Sequence, residues 1–293
     1  MAKKRTPPQE LLRETVAVDD GIRPVREAGE WAKDKLGILS AYLPRFAKAS
    51  SGKVDQWYFA DGFAGSGLNR FPDGQLRWGS TILALRAQPE FRRVIAIERD
   101  EEPRMALSRR GELFKGRAIV VGGDCNVELI PALKQHVPPW APLLVFLDPT
   151  GFQLKWSTIE ELSKFRDGKF KTELLIYLST TGVLRNVGQG RTTAVDLSMP
   201  PGREWRDTVQ RGREAGRTTA ELRESVAECF RDGLEALGYR TVLTRRIGPL
   251  HAESSDGTHY HLVFATDNEA GGRIMSSIFE RMHAVSDQIA LPF

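Results

Sequence analysis

A glycine-rich turn follows an aspartate in the stretch WYFADGFAGSG, residues 57–67. Asp61 ends an apolar run, and Gly62, Gly65 and Gly67 follow within six residues. Glycines at such a turn let backbone N–H groups come close to a bound anion. The stretch therefore predicts a loop that holds a nucleotide-like ligand, and several kinds of ligand have to be compared.

Motifs for phosphate-bearing ligands are incomplete at this turn. A Walker A loop requires a lysine and a hydroxyl residue after its last glycine, but this chain has Leu68 and Asn69 there. A dinucleotide fingerprint that begins at Gly65 requires glycine where this chain has Arg70. The frame around Ser66 also departs from the G-x-S-x-G pattern of a hydrolase. The sequence therefore disfavours ATP, GTP and dinucleotides.

The turn is better suited to S-adenosylmethionine (SAM), which has no phosphate. The amino-acid end of SAM carries an ammonium and a carboxylate beside a cationic sulfonium, so no lysine is needed. Backbone N–H groups of the turn would face the carboxylate, and Asp61 would contact the ammonium directly or through water. The predicted cofactor-binding residues of this loop are Asp61, Gly62, Phe63, Ala64, Gly65 and Gly67.

Acidic residues also end the next three predicted strands, at Glu98, Asp124 and Asp148. The carboxyl ends of parallel strands form the ligand crevice of an open α/β sheet. We expect Glu98 to bind the ribose hydroxyls and Asp124 to accept the adenine amino group, with Arg99 and Cys125 beside them in the same site. A single aspartate after a strand is most often a helix cap, but four acidic strand ends in register favour a ligand site.

These residues require a particular set of elements. Apolar runs over residues 57–61, 93–98, 117–124, 143–148 and 173–179 alternate with helical patterns, which predicts a buried parallel sheet. Two later runs, residues 239–247 and 259–266, are joined by a connection too short for a crossover helix, which predicts an antiparallel hairpin. The predicted fold is α/β and Rossmann-like, with a mostly parallel seven-stranded sheet and helices on both faces.

The predicted domain organisation is simple. Residues 1–23 are polar and predict a mobile arm, and residues 24–293 predict a single domain. Leu36, Leu39 and Leu43 lie at helical spacing and predict a helix that ends near Pro44. An insert at about residues 185–217 contains seven arginines against four acidic residues, which predicts either phosphate contacts or an ordinary solvated surface.

Substrate-binding residues are predicted in three places: the helix before the glycine turn, the loop after it (residues 68–80), and the arginine-rich insert. They are Lys35, Arg77, Trp78, Arg185 and Arg191.

Composition limits the class of protein. The net charge of +4 and isoelectric point of about 9.1 fit a nucleic-acid partner. No apolar run is long enough for a membrane span or a secretory leader, so we expect a cytoplasmic protein with no membrane partner. Cys125 and Cys229 are the only cysteines, which predicts reduced thiols and neither a disulfide framework nor a metal site.

Several motifs in order resemble one family. The segments are YFADGFAGSG, DGQLRWGSTILAL, AIERD, GGDCNVELIPAL, FLDPTGF and HYHLVFATDNEAGGRIMSSIFERM. They resemble the three-Cys-motif partner protein (TcmP) family, whose members look like class I SAM-dependent methyltransferases. The resemblance runs from about residue 31 to the C-terminus. It implies a seven-stranded methyltransferase fold, SAM as cofactor, and a radical-SAM-like three-Cys-motif protein as partner.

The motif DPTGF after the fourth strand carries the predicted catalytic residues Asp148, Pro149 and Phe152. Family members tend to have an aromatic residue where this chain has Thr150. In the related motif of amino-methyltransferases, a polar residue, Asp or Asn, and the proline carbonyl hold an exocyclic amine while the aromatic ring stacks on the base. The family resemblance does not define a substrate, but the partial match to this motif favours a methyltransferase that acts on a nucleic-acid base, with Phe152 either stacking or packing in the core. The alternative is a methyltransferase-like binding subunit without turnover.

Overall fold

The computed structural model describes residues 16–202, 205–247 and 260–289. They fall into two compact units, divided after Leu143 and after Gly272. The α/β architecture with a seven-stranded sheet is present as predicted. In chain order the elements are β1 (Val16–Ala17), β2 (Arg26–Glu27), α1 (Trp31–Ser51), β3 (Tyr58–Asp61), β4 (Leu68–Arg70), β5 (Leu76–Trp78), α2 (Ser80–Arg86), β6 (Arg93–Glu98), α3 (Glu101–Glu112), β7 (Ala118–Gly122), α4 (Cys125–His136), β8 (Leu143–Leu147), α5 (Trp156–Phe165), β9 (Glu173–Leu178), α6 (Thr180–Gly188), α7 (Thr193–Ser198), α8 (Trp205–Glu214), α9 (Thr219–Ala236), β10 (Thr241–Ile247), β11 (Tyr260–Thr266) and α10 (Glu269–Ile289).

The first unit contains three parallel strands of the large sheet. β6 lies in the middle and pairs with β3 on one side and β7 on the other. The apolar residues of β3 and β6 are buried, as expected for strands that are covered on both faces. In this register Asp61 lies opposite Ala96 and Glu98 lies opposite Gly122, so the acidic strand ends are close together at one edge.

A small second sheet, in the order β1-β5-β4-β2, also belongs to the first unit. Its centre is a hairpin in the segment predicted as a loop, with Asn69 opposite Arg77. A tight turn closes the hairpin, because the Gly74 N–H donates to the Phe71 carbonyl at 2.8 Å and the Phe71 N–H to the Gln75 carbonyl at 3.0 Å. The loop after the glycine turn is therefore an ordered hairpin.

The long helix α1 continues through Pro44 to Ser51, so the predicted end near Pro44 is wrong. Proline removes its own N–H from the helical ladder, and its ring crowds the carbonyl four residues earlier. The apolar stripe extends beyond it, since Leu43, Phe46 and Ala47 are all buried. Burial of this face stabilises the last two turns despite the missing hydrogen bond.

The second unit contains the remaining strand pairs. β8 and β9 are parallel, whereas β11 pairs antiparallel with both β9 and β10. The antiparallel hairpin predicted from the sequence is therefore confirmed. The arginine-rich segment forms helices α6, α7 and α8, and α9 begins with a capping box between Thr218 and Glu221.

The predicted N-terminal arm is described only from residue 16 onward, because residues 1–15 lie outside the described residues. Its described part begins with β1, in which Val16 lies opposite Arg77 of β5. The extent of a mobile arm and the single-domain boundary stay predictions. In the described part of the chain no helix is both long enough and apolar enough to cross a membrane.

Candidate functional site

The carboxylate of Asp61 holds the glycine turn against the start of α2. The side chain has 0% exposure, and its Oδ2 accepts hydrogen bonds from Ser80 Oγ at 2.5 Å and Thr81 Oγ1 at 2.8 Å. Its Oδ1 accepts from the Phe63 N–H at 3.2 Å. A buried carboxylate needs such donors to remain stable. The pair Ser80-Thr81 at the start of a predicted helix was the sequence signal for this contact, and the sequence analysis missed it.

Glu98 connects the glycine turn to the end of β6. Its Oε2 accepts the Gly65 N–H at 2.7 Å, and its Oε1 accepts the Asp100 N–H at 2.8 Å. The Ala64 N–H also donates to the Ile97 carbonyl at 3.0 Å. The loop after β3 and the end of β6 are thus joined by hydrogen bonds, and the cofactor role of Glu98 stays a prediction.

Two glycines of the turn have conformations that other residues rarely adopt. Gly67 has φ of +82°, and a Cβ there would lie 2.8 Å from Leu107 Cδ1 and 3.0 Å from Ile82 Cγ1. Gly65 has φ of +63°, and a Cβ there would meet only the Arg26 side chain, at 3.7 Å. Gly67 is therefore required by packing, whereas a Cβ at Gly65 would make only ordinary van der Waals contact with Arg26.

Asp124 caps α4. Its Oδ1 accepts the Asn126 N–H at 2.7 Å and the Asn126 Nδ2 at 2.8 Å, and the residue is exposed. The next residue, Cys125, is buried, and this burial, together with the charges of Asp124 and Asp61, raises the pKa of the thiol. The thiol stays neutral, so Cys125 contributes a packed side chain rather than a charge. Because Asp61 and Asp124 both act on it, the ends of β3 and β7 lie close together.

Arg110 is the buried cation of this region, and no sequence pattern singled it out. It is 1% exposed and forms a bidentate pair with Asp20, with Nε–Oδ2 at 2.7 Å and Nη2–Oδ1 at 3.0 Å. Its Nη1 donates to the Ser66 carbonyl at 2.6 Å. Burial acts against ionisation of Asp20, but the Arg110 guanidinium and the hydrogen bond from the Ile22 N–H together outweigh it and lower the pKa of that carboxyl. The two residues are 90 positions apart, which hides the pair from any local motif.

The predicted substrate-binding residues of the first unit are largely packed. Lys35 is 6% exposed within α1. Arg77 is also buried, donates to Gln75 Oε1 at 2.9 Å and lies 5.6 Å from the Phe71 ring centre. Trp78 is half-buried under the guanidinium of Arg86, and Arg99 is exposed beside Asp100. These contacts give Lys35, Arg77 and Trp78 packing roles, and their part in substrate binding stays a prediction.

In the second unit, Asp148 follows β8 and is 8% exposed. Burial and the Asp148 carboxylate raise the pKa of Tyr260, while Arg185 acts in the opposite direction. Asp148 and Arg185 are therefore both near this phenol. The Tyr260 ring stacks on Tyr177, with centroids 4.4 Å apart.

Phe152 is half-buried and packs against the first turn of α6. A Cβ on Gly182 would lie 3.2 Å from its Cζ. Its carbonyl accepts from Ser198 Oγ at 3.2 Å. Phe152 therefore contacts α6 without being fully buried, and its stacking on a base stays a prediction.

Arginines of the insert divide into two groups. Four of them bond within the second unit: Arg206 with Asp196, Arg211 with the Asp207 carbonyl, Arg213 with the Leu184 carbonyl and Arg217 with Ser225. Arg185 and Arg191 are exposed, and their side chains make no hydrogen bond or ion pair with residues that the structure describes. The two arginines predicted to bind substrate are thus the ones left available.

The donor and acceptor set of the first unit favours a ligand with hydroxyl and ammonium donors. An ionised carboxylate has room for about four hydrogen bonds, and Glu98 accepts one backbone N–H on each oxygen. Both oxygens can therefore accept a further donor, such as a ribose hydroxyl. Among the residues described, no group of three acidic, histidine or cysteine side chains could hold a metal ion.

Neither a protein-family model nor a curated protein matches the sequence. The chain is similar to the METTL16 MTase domain (crystal form 2), at 12% identity and a TM-score of 0.47, over 89% of this chain and 78% of that one. It is also similar to M. jannaschii TYW2, solved in complex with AdoMet, at 13% identity and a TM-score of 0.37, over 77% and 75%. An rRNA methylase from Streptococcus thermophilus matches at 11% identity and a TM-score of 0.38, over 77% and 94%. At these TM-scores the likenesses carry no argument about ligand or reaction.

Proposed function

We propose that this protein is a SAM-dependent methyltransferase that acts on the amino group of a nucleic-acid base. One observation carries the proposal: Glu98 accepts the Gly65 N–H of a glycine turn that lacks a phosphate-binding lysine. A carboxylate in this place suits a ribose diol by the geometry that serves other nucleoside cofactors.

Each strand end has a part in holding the cofactor. Glu98 accepts the ribose hydroxyls, and the Oδ2 of Asp124 is available for the adenine amine because the capping bonds use Oδ1. The N–H groups of Phe63, Ala64 and Gly65 already donate to protein acceptors, so in the proposal the other N–H groups of the turn face the amino-acid carboxylate. Asp61 gives the turn a negative charge that favours the ammonium, while its hydroxyl partners fix its position.

SAM, when bound, supplies a methyl group that is already activated by the sulfonium, so the protein mainly aligns the nucleophile and excludes water. In the proposal Asp148 accepts a hydrogen bond from the exocyclic amine and orients its lone pair. Pro149 adds its carbonyl, and Phe152 limits the pocket. A base in a duplex has to leave the stack to reach such a site, and Arg185 and Arg191 contact the backbone phosphates.

Wider parts of the proposal come from the sequence resemblance. They are membership of the TcmP family and a radical-SAM-like three-Cys-motif protein as partner, whereas the cytoplasmic location stays a prediction from composition.

A second candidate is a methyltransferase-like binding subunit without turnover. Thr150 stands where an aromatic residue would complete the base-binding motif, and Phe152 packs against α6. Such a protein would bind SAM or nucleic acid without transferring a methyl group.

Titration calorimetry with SAM and its demethylated product, followed by transfer assays with labelled SAM on DNA, RNA and protein pools, tests the proposal. The variant Glu98→Gln places an NH₂ group against a backbone N–H and should weaken SAM binding about 10-fold or more. Glu102→Gln on the exposed face of α3 is the matched control and should leave binding unchanged. Asp148→Ala should bind SAM normally and lose transfer.

The outcomes separate the candidates. Absence of SAM binding to the wild-type protein would refute both the assignment of SAM as cofactor and the proposed methyltransferase activity. Binding without transfer to any pool favours the binding subunit. Full transfer by Asp148→Ala contradicts the role given to that residue.

A further inference from the structure

The segment that precedes α1 lies against the glycine turn, and Arg110 fixes it there. Besides the bidentate pair with Asp20, Arg110 Nη2 donates to the Ile22 carbonyl at 2.7 Å. The same guanidinium donates through Nη1 to the Ser66 carbonyl inside the turn. One buried side chain thus binds both the N-terminal segment and the turn, which fixes their relative position.

Arg26 is carried to the turn by this segment. It lies in β2, which runs parallel to β4 with Arg26 beside Asn69. The position of a Cβ on Gly65 is 3.7 Å from both Cδ and Nη1 of Arg26. Arg26 is exposed, and within the described ranges its guanidinium makes no hydrogen bond or ion pair.

Gly65 therefore has two opposite charges beside it. The Glu98 carboxylate bonds its N–H, and the Arg26 guanidinium lies on the side where a Cβ would point. A free guanidinium attracts an anion, and a planar carboxylate matches its paired donors. Arg26 is thus a cation beside the turn that makes no hydrogen bond or ion pair with the described residues, whereas Arg110 is fully engaged.

We propose that Arg26 binds the amino-acid carboxylate of SAM and of its demethylated product, and so lets this protein prefer them to adenine nucleosides without that carboxylate. The inference rests on the proposed function, because it concerns the same cofactor. It adds a residue from outside the glycine motif, and it gives the N-terminal segment a part in ligand selection.

The experiment compares two ligands by titration calorimetry: S-adenosylhomocysteine, which has the carboxylate, and 5′-methylthioadenosine, which lacks it. Arg26→Gln should weaken the binding of S-adenosylhomocysteine about 10-fold or more, because the variant loses a charge-assisted hydrogen bond to the carboxylate. Binding of 5′-methylthioadenosine should not change. Arg109→Gln, which removes an exposed arginine from α3, is the control and should affect neither ligand.

A second variant tests how the segment is held. Asp20→Asn removes the charge that pairs with Arg110 but leaves Arg26 in the sequence. It should weaken the binding of S-adenosylhomocysteine. In the double variant with Arg26→Gln, the loss of affinity should be smaller than the sum of the two single losses, because both substitutions act through one contact.

The failure of this inference differs from that of the proposed function. If the wild-type protein binds neither ligand, the cofactor itself is wrong. If it binds S-adenosylhomocysteine and Arg26→Gln leaves that affinity unchanged, or weakens both ligands equally, the cofactor stands and the role of Arg26 is overturned.

Discussion

The glycine turn of the first unit and the arginine-rich insert of the second both contain many charged residues, but their charges are used differently. At the turn, Asp61, Glu98 and Arg110 each bond several groups at once, and two of the three side chains are fully buried. In the insert, four arginines each make a separate contact at the surface, and Arg185 and Arg191 have none with the described residues.

This difference shows that the number of charged residues in a region does not give the number that are available to contact a ligand. Seven arginines predict a strong phosphate-binding surface, yet most of those that are described stabilise the insert itself. At the turn, a few charges are held at fixed positions, which is what recognition of one small ligand requires. We therefore expect substitutions at the turn to have large, specific effects and those in the insert to have small, graded ones.

The largest effect is expected for Gly67→Ala. The variant combines a left-handed backbone, which costs other residues roughly 1–2 kcal/mol, with overlap against Leu107 and Ile82, which adds about 1–3 kcal/mol. The free energy of unfolding, measured in urea, should fall by about 2–5 kcal/mol.

Gly74→Ala is the control for that prediction. Its φ of +76° is nearly the same, but no atom lies within 4 Å of the new methyl group. It should lose only the backbone contribution. Equal losses for the two variants would mean that the turn is not tightly packed.

An intermediate effect is expected for Asp20→Asn. The lowered pKa of Asp20 means that its contribution is present above the ordinary aspartate pKa of about 4 and is lost as pH falls through the lower folded-state value. The variant should be about 2 kcal/mol less stable than the wild type at pH 7. Denaturant unfolding across the acid range should show that the difference in free energy of unfolding between wild type and variant shrinks below pH of about 4. A difference that stays constant with pH would mean that the ion pair is not its cause.

The smallest effects are expected in the insert. Arg213→Ala loses the bond to the Leu184 carbonyl and should reduce the free energy of unfolding by about 1 kcal/mol. Arg191→Ala should change it by less than about 0.5 kcal/mol.

Binding of nucleic acid should reverse that order. Arg191→Ala should weaken it and lower the slope of log affinity against log salt by about 1, whereas Arg213→Ala should leave the slope unchanged. If the two variants give similar slopes, the distinction between arginines that bond within the insert and arginines that are available to nucleic acid is wrong.

The strands were predictable because each is a short apolar run, and residues 93–98 and 143–147 match the structure closely. The position of Glu98 beside the turn was predictable too, since parallel strands end at one edge. The hairpin at residues 68–78 was missed because its strands have only three residues each. Its Phe71-Pro72-Asp73-Gly74 stretch is nevertheless a recognisable turn sequence.

The rest of the candidate site depends on contacts between distant residues. Asp20 and Arg110 pair across 90 positions, and Arg26 reaches Gly65 through a two-residue strand. Nothing in the local sequence distinguishes these arginines from solvated ones. The continuation of α1 past Pro44 was missed for a similar reason, because tertiary burial of Phe46 and Ala47 outweighs the local preference of proline.

The bond between Arg110 and Asp20 also sets an order of events during folding. Closing a loop of 90 residues costs conformational entropy. The contacts that offset this cost form only when the two ends of the loop have come together. Residues 58–110 have to assemble first, because they include the helix that presents the guanidinium. The N-terminal segment is made first on the ribosome, yet we expect it to dock last, so that the turn reaches its binding-competent form only once the chain beyond residue 110 has emerged.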